Sequence, residues 1–261
     1  EGCLSSASDA LQEIGISSSR LLGNYADIFS RTNKCNGEVV FALLNDQKEG
    51  ITGGYYNYFY HPSNLIAADK QNNPVPVSST QWWSYSQNFI DILNKSKEEH
   101  NDSRVSCNLG EGAFGASGQT LTWPNKFLGD MSKKPVVLDC DLLYYRYALA
   151  VMMDAELKYY KKDYAGALAS LNIIASRAYG VQNFYTDASR DAVLSALVNE
   201  YFLEFPAEGV IWWALIRLDK IWDYNPELKA MQVNNPNILL WPITASARNK
   251  NYKLTQTEGW N

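Results

Sequence analysis

The sequence predicts a mainly α-helical protein with long loops and little strand. Three observations carry that prediction. Residues 141–179 hold two consecutive apolar stripes at helical spacing, residues 189–205 hold a third, and residues 61–80 and 101–134 are rich in Pro, Asn, Ser or Gly. The first stripe is Ala148, Val151, Met152, Ala155 and Tyr159; the second is Leu168, Leu171, Ile174, Ala175 and Ala178. Steps of three and four line one face of a helix. Lys161 and Lys162 stand where cations complement the negative end of the first helix dipole. Asp163 is placed to cap the second helix and Gly180 to stop it. Ala155, Ala165 and Ala167 near the turn let the two backbones approach closely. Such a hairpin cannot bury both stripes alone, so other segments must cover it, and an open apolar face would mark missing cover.

The other elements follow in chain order. Residues 8–25 read as a helix through Leu11, Ile14, Leu21 and Leu22, interrupted near Gly15. Residues 27–36 are loop. Residues 38–44 form a short apolar run, expected as a buried strand or strand edge. Residues 53–60, GGYYNYFY, crowd their aromatics round one Asn, and alternation sets Tyr56, Tyr58 and Tyr60 opposite Tyr55 and Phe59. Residues 81–95 resume helix, with Phe89, Ile90 and Leu93 inward and Trp82, Trp83 and Tyr85 at its start. The helix of residues 189–205 carries Leu194, Leu197, Val198, Tyr201 and Phe205 on one face and ends at Pro206. Residues 209–222 are apolar enough for a deeply buried helix. From residue 225 the chain reads as loop, apart from an apolar run at 238–243.

Composition narrows the function. With 46% hydrophobic and 20% charged residues, the 261-residue chain is a folded globular protein and not a disordered one. A net charge of -5 without a basic run argues against nucleic acid, which needs clustered Lys and Arg. No apolar run approaches the ~20 residues of a membrane span. The 17 Tyr and 8 Trp point to carbohydrate or interface contacts, while most of these rings are expected to pack in the core. Cys3, Cys35, Cys107 and Cys140 lack CxxC spacing, so no zinc framework and no cofactor is called for; any pairing among them, or none, stays open. The opening at Glu1, without a signal peptide, reads as a mature, cut or engineered start.

Motifs of catalytic spelling carry little. Gly110-Glu111-Gly112-Ala113-Phe114-Gly115 spells GxGxxG, but the Ser/Thr/Gly-rich stretch after it does not start a helix that would aim N–H groups at phosphate. A flexible loop is expected there. In Asp139-Cys140-Asp141 the second carboxylate is expected to cap the following helix and not to hold a metal. His61 and His100 lie far apart, with no nucleophile motif around them. Glu204 and Glu208 have the spacing of a glycosidase pair, as any acidic helix does.

Two features carry a family resemblance. Residues 144–180, YYRYALAVMMDAELKYYKKDYAGALASLNIIASRAYG, look like a tetratricopeptide-type helix pair. In the tail, Leu240-Trp241-Pro242-Ile243 is followed by Ser246, Asn249, Leu254-Thr255-Gln256 and Gly259-Trp260. That order resembles the C-terminal signature of the SusD/RagB family of outer-membrane nutrient-binding lipoproteins. Residues 199–226 resemble the family's Glu-rich helix, its F-x-x-E-G turn and the apolar helix after it; Trp212, Trp213 and Trp222 there, and Trp241 in the tail, sit in family core motifs and are expected to pack. Residues 7–29 and GEVVFALL at 37–44 fit the family's middle region. Tyr201-Phe202-Leu203 replaces an Arg-rich run, and Thr244 stands where a second proline is common. The resemblance implies a SusD-like fold: one region over 1–261 that looks like the C-terminal part of a longer chain, with ligand loops at 45–134, a helical scaffold at 141–225 and the signature at 238–261. The lipid-bearing Cys would lie upstream, and Cys3 is not it.

The resemblance further implies a non-enzymatic protein, lipid-anchored at the outer membrane and facing the exterior. It would capture a glycan and deliver it to a SusC-like TonB-dependent transporter. Sugar rings offer C–H faces to flat aromatics and hydroxyls to polar side chains. At roughly 0.5–1.5 kcal/mol per aromatic stack, an arc of several is needed for useful affinity. Two stretches supply such an arc: Tyr55, Tyr56, Asn57, Tyr58 and Tyr60, and Gln81, Trp82, Trp83 and Tyr85. A tetratricopeptide-like adaptor, a peptide-binding member of the same family and a helical glycoside hydrolase are the alternatives.

Overall fold

The computed structural model describes residues 2–50, 83–114, 119–127, 137 and 139–260. Ten α-helices and four short strands occur among them, in agreement with the mainly helical prediction. The aromatic run at 53–60 and the Pro/Asn/Ser stretch at 61–80 lie outside the described residues. The chain divides into two units, Glu1–Ile211 and Trp212–Asn261.

In the first unit, helix α1 (Gly2–Ile14) starts earlier than predicted and stops at Gly15, whose φ of +69° is left-handed. A residue that lacks a Cβ closes a helix in this conformation at the least cost. A 3₁₀ turn, Tyr25–Phe29, replaces the first part of the expected loop and buries Tyr25, Ile28 and Phe29; the Asn24 side chain caps it by accepting from the Ala26 N–H. Strand β1 (Val39–Leu43) follows. Helix α2 (Gln87–His100) begins after Ser86, which caps the Phe89 N–H, so Trp83 and Tyr85 precede the helix and do not sit in it. Within the region expected to be irregular stand a short helix α3 (Val105–Asn108) and a hairpin of β2 (Gly110–Phe114) and β3 (Gln119–Trp123).

Strand β4 (Leu142–Arg146) takes the place where the first helix of the pair was expected to begin, and it pairs antiparallel with β1 through Phe41↔Tyr145 and Leu43↔Leu142. The ribbon is a largely exposed surface rather than a buried one: Phe41 is 50% and Tyr145 55% exposed, and Phe41 lies 5.7 Å from Tyr144, ring centre to ring centre. Helices α4 (Tyr147–Tyr160) and α5 (Tyr164–Tyr179) form the predicted hairpin. Asp163 caps α5 by accepting from the Gly166 N–H at 2.9 Å, and Gly180 ends it at φ +69°. Lys161 and Lys162 form the turn itself, Lys162 at φ +62°, so Lys158 is the basic residue of the last turn of α4. Ala155 and Ala167 are fully buried at the helix contact, whereas Ala165 faces out. Helix α6 (Arg190–Glu204) packs against both, and α1 packs on α4. With this cover only Met153 and Tyr160 remain exposed among the large apolar residues of the pair, so no open stripe is left.

In the second unit, the helix expected over 209–222 is two short ones, α7 (Ile211–Arg217) and α8 (Ile221–Tyr224), separated at Asp219 with φ +54°. Helices α9 (Pro226–Gln232) and α10 (Ala245–Lys250) interrupt the expected loop. Of the tryptophans expected to pack, Trp222 is half-buried, but Trp212, Trp213 and Trp241 are exposed, Trp213 at 60% and Trp241 at 84%. Around Trp241 the tail is held by polar links. Gln256 brackets Ile243, accepting from its N–H at 2.8 Å and donating to its carbonyl at 3.1 Å. Thr257 donates to the Trp241 carbonyl and the Trp260 indole to the Leu240 carbonyl. The signature spacing therefore closes a loop without needing the Trp241 ring.

Candidate functional site

The centre of the first unit is charged. Four cations, Arg104, Lys126, Arg146 and Arg177, meet five carboxylates, Glu38, Asp102, Glu200, Glu204 and Glu208. Arg104 spends its N–H groups on Asp102 (2.9 and 2.8 Å), Glu200 (2.7 Å), Glu204 (3.1 Å) and the Tyr179 hydroxyl (3.1 Å). Arg146 does the same with Glu208, Glu38, the Glu204 carboxylate and the Glu204 main-chain carbonyl. Arg177 joins Glu38 to Glu204. Burying a guanidinium is costly unless its donors are matched, as those of Arg104 and Arg146 are, whereas the Nε of Arg177 has no hydrogen-bond partner among the described residues.

The carbonyl of Glu204 is the focus. It lies at the C-terminal end of α6, where carbonyls lack helical partners and the helix dipole favours cations. It accepts from Tyr25, Lys126 and Arg146. Burial works to raise the Glu204 carboxyl, but Arg177, Arg146 and Arg104 outweigh it and hold the group well below the usual range. Burial lowers Lys126 to about 8, against the pull of Glu208. Burial, then Glu200, keeps the Tyr179 and Tyr185 hydroxyls protonated far into alkali, and both donate to Glu200.

This network anchors the approach to α2. Asn108, at the end of α3 and fully buried, donates its amide to the Leu203 carbonyl (2.6 Å), and its side-chain oxygen lies 3.1 Å from the Tyr25 hydroxyl, whose one hydrogen goes to the nearer Glu204 carbonyl. The main-chain carbonyl of Asn108 accepts from the Tyr85 hydroxyl at 3.1 Å. The half-buried Tyr85 ring lies 4.9 Å from Phe89, which continues to Phe202 at 5.8 Å, against a core of Leu93, Val105, Ala178 and Leu203. Two residues before Tyr85, the Trp83 indole is 51% exposed. The remaining predicted contact residues, Tyr55, Tyr56, Asn57, Tyr58, Tyr60, Gln81 and Trp82, lie outside the described residues, so only Trp83 and Tyr85 have a described place.

The motifs of catalytic spelling acquire structural roles. Gly110 lies on strand β2, not in a flexible loop; a Cβ there would fall 2.3 Å from the Trp123 indole nitrogen, so the glycine makes room for a ring, not a phosphate. Asp141 caps no helix, because the segment after it is strand β4. Its carboxylate accepts from the Asn45 N–H and pairs with Lys34 at 3.0 Å, while Asp139 takes Arg31 in a two-pronged pair. Ammonium and guanidinium occupy the carboxylates where a metal reading would place an ion, and among the described residues no cluster of His, Cys, Asp or Glu is arranged to hold one. Glu204 and Glu208 are both engaged by Arg146. The four cysteines are free, and burial pushes Cys107 up to about 11 and Cys140 up to about 12, away from nucleophilic thiolates. No described helix is long and apolar enough to cross a membrane.

The buried cations were not legible as a set, because their positions follow no period. The signal present was Glu200 and Glu204, four apart and interleaved with the apolar residues Val198, Tyr201, Phe202 and Leu203, which demands buried partners.

Residues 79–260 match the SusD family. The chain belongs to that family. No curated protein matches it. Solved SusD superfamily structures share its fold. One from Bacteroides fragilis superposes with a TM-score of 0.78 at 22% identity, covering 99% of this chain and 59% of its own. One from Bacteroides vulgatus gives 0.76 at 20%, covering 99% of this chain and 59% of its own. Surface glycan-binding protein A from Bacteroides thetaiotaomicron gives 0.65 at 17%, covering 98% of this chain and 60% of its own. The chain thus spans about three fifths of the length of these solved structures. In SusD terms the matched segment contains α2, the helical pair, α6 and the tail.

Proposed function

We propose that this SusD-family chain binds a glycan at the cell surface, without cleaving it, and presents it to a SusC-like TonB-dependent transporter at an outer membrane to which lipid anchors it. The observation that carries the reading is the half-exposed Trp83 indole on a segment tied through Tyr85 to a buried core. An aromatic face held still can stack on a sugar ring without first losing freedom of its own. Family membership supports it, as does the likeness in fold to proteins named as surface glycan-binding. A hydrolase reading draws no support from Glu204 and Glu208, whose carboxylates are already matched by arginine and lysine. An adaptor reading draws none from α4 and α5, whose apolar faces are already covered.

The test is affinity electrophoresis of the parent chain, Trp82→Ala and Trp83→Ala through gels containing a panel of polysaccharides. Retardation of the parent by at least one polysaccharide, with weaker retardation of Trp83→Ala, is expected. Retardation that both variants leave intact moves the site elsewhere, and reducing sugar accumulating over a long incubation overturns the non-enzymatic reading.

A further inference from the structure

Tyr85 belongs to the aromatic arc by sequence, yet its hydroxyl is spent on the protein interior. We propose that Tyr85 is the positioning residue of the glycan site, holding Trp83 in place, and does not itself contact sugar. The inference rests on the glycan reading of Trp83 given above. Two hydrogen bonds in series define the device: Tyr85 donates to the carbonyl of Asn108, and Asn108 donates to the Leu203 carbonyl. The Tyr25 hydroxyl, which donates to the Glu204 carbonyl, packs beside the Asn108 side-chain oxygen at 3.1 Å. Asn108 is fully buried and its neighbour Arg104 is locked into the carboxylate cluster, so the acceptor that Tyr85 reaches cannot drift.

Geometry explains why this point controls Trp83. Residues 83–85 have no helical or strand hydrogen bonding, and α2 begins only after Ser86. The cap at Ser86 fixes one end of the segment and the Tyr85 hydroxyl fixes its side against the core. A tyrosine placed here serves through its ring, packed on Phe89, and through its oxygen, reaching Asn108. Phenylalanine retains the first contact and loses the second.

The chain labelled with fluorotryptophan reports the position of each indole by fluorine NMR, and Trp83→Phe identifies the Trp83 signal. Tyr85→Phe is expected to shift that signal and leave the other tryptophan signals in place. Tyr201→Phe, which removes a buried hydroxyl bonded to Glu156 at 2.8 Å, is the control for destabilisation alone and is expected to leave Trp83 unmoved. Gels containing amylopectin, xyloglucan or β-mannan are run in parallel. Whichever of these retards the parent should hold Tyr85→Phe roughly threefold or more weakly, the scale of one lost hydrogen bond, and hold Tyr201→Phe as the parent. A Trp83 signal unmoved by Tyr85→Phe, or moved as far by Tyr201→Phe, overturns the positioning role. A moved signal with undiminished retardation overturns its connection to binding. If none of the three polysaccharides retards the parent, the glycan reading loses its support for these ligands, while the fluorine signal still decides whether Tyr85 positions Trp83.

Discussion

Replacing Glu204 by glutamine tests whether the buried charges hold the first unit together. The amide has nearly the shape of the carboxylate but carries no charge and presents N–H donors. In the folded chain the carboxylate accepts from Arg146 at 2.6 Å, from Arg104 at 3.1 Å and from Arg177. One amide oxygen cannot serve three guanidinium groups, and the amide nitrogen would face donors. All the groups are buried, so water does not replace the lost bonds. Removing one partner from a buried ion pair costs about 3–5 kcal/mol, because the opposite charge stays behind uncompensated. Against a typical stability of about 5–15 kcal/mol, that is a large share. Urea unfolding followed by far-UV circular dichroism, which reads α4, α5 and α6, measures the loss. A change below about 1 kcal/mol would mean that the arginines find other partners, and the view that the Glu204 carboxylate holds the buried charges together would be wrong.

Two further outcomes follow from the same interior. Glu204 stays ionised in the folded chain below its ordinary value of 4.5, whereas the unfolded chain takes up a proton there. The unfolded state then binds more protons, so stability is lost as pH falls below that value; thermal melts from neutral pH downward should show the decline, and a flat melting temperature across pH 4.5 would refute it. Gly110→Ala would place a methyl 2.3 Å from the Trp123 indole nitrogen and 2.5 Å from the Asn125 side-chain oxygen. Because Trp123 is buried, the clash should cost about 1–3 kcal/mol, read as a lower melting temperature, and an unchanged one would show that the hairpin relaxes freely.

The sequence by itself determined the helical scaffold. Apolar steps of three and four, the Asp163 cap and the Gly180 stop are local signals, and each reappears in α4 and α5. The order of the helix pair, the Glu-rich helix and the tail was also written in the chain, and it carried the family. Only the tertiary structure decided the rest. Whether Leu142–Arg146 continues a helix or forms a strand depends on Val39–Leu43, about a hundred residues earlier in the sequence, which supplies its hydrogen bonds. Arg104, Lys126, Arg146 and Arg177 lie in different segments and converge on the end of α6, because a helix terminus and its carboxylates attract cations from wherever the fold brings them. Exposure of Trp213 and Trp241, and the inward turn of the Tyr85 hydroxyl, likewise depend on neighbours distant in sequence. A residue's type fixes what contacts it can make; the packing around it fixes which of them it does make.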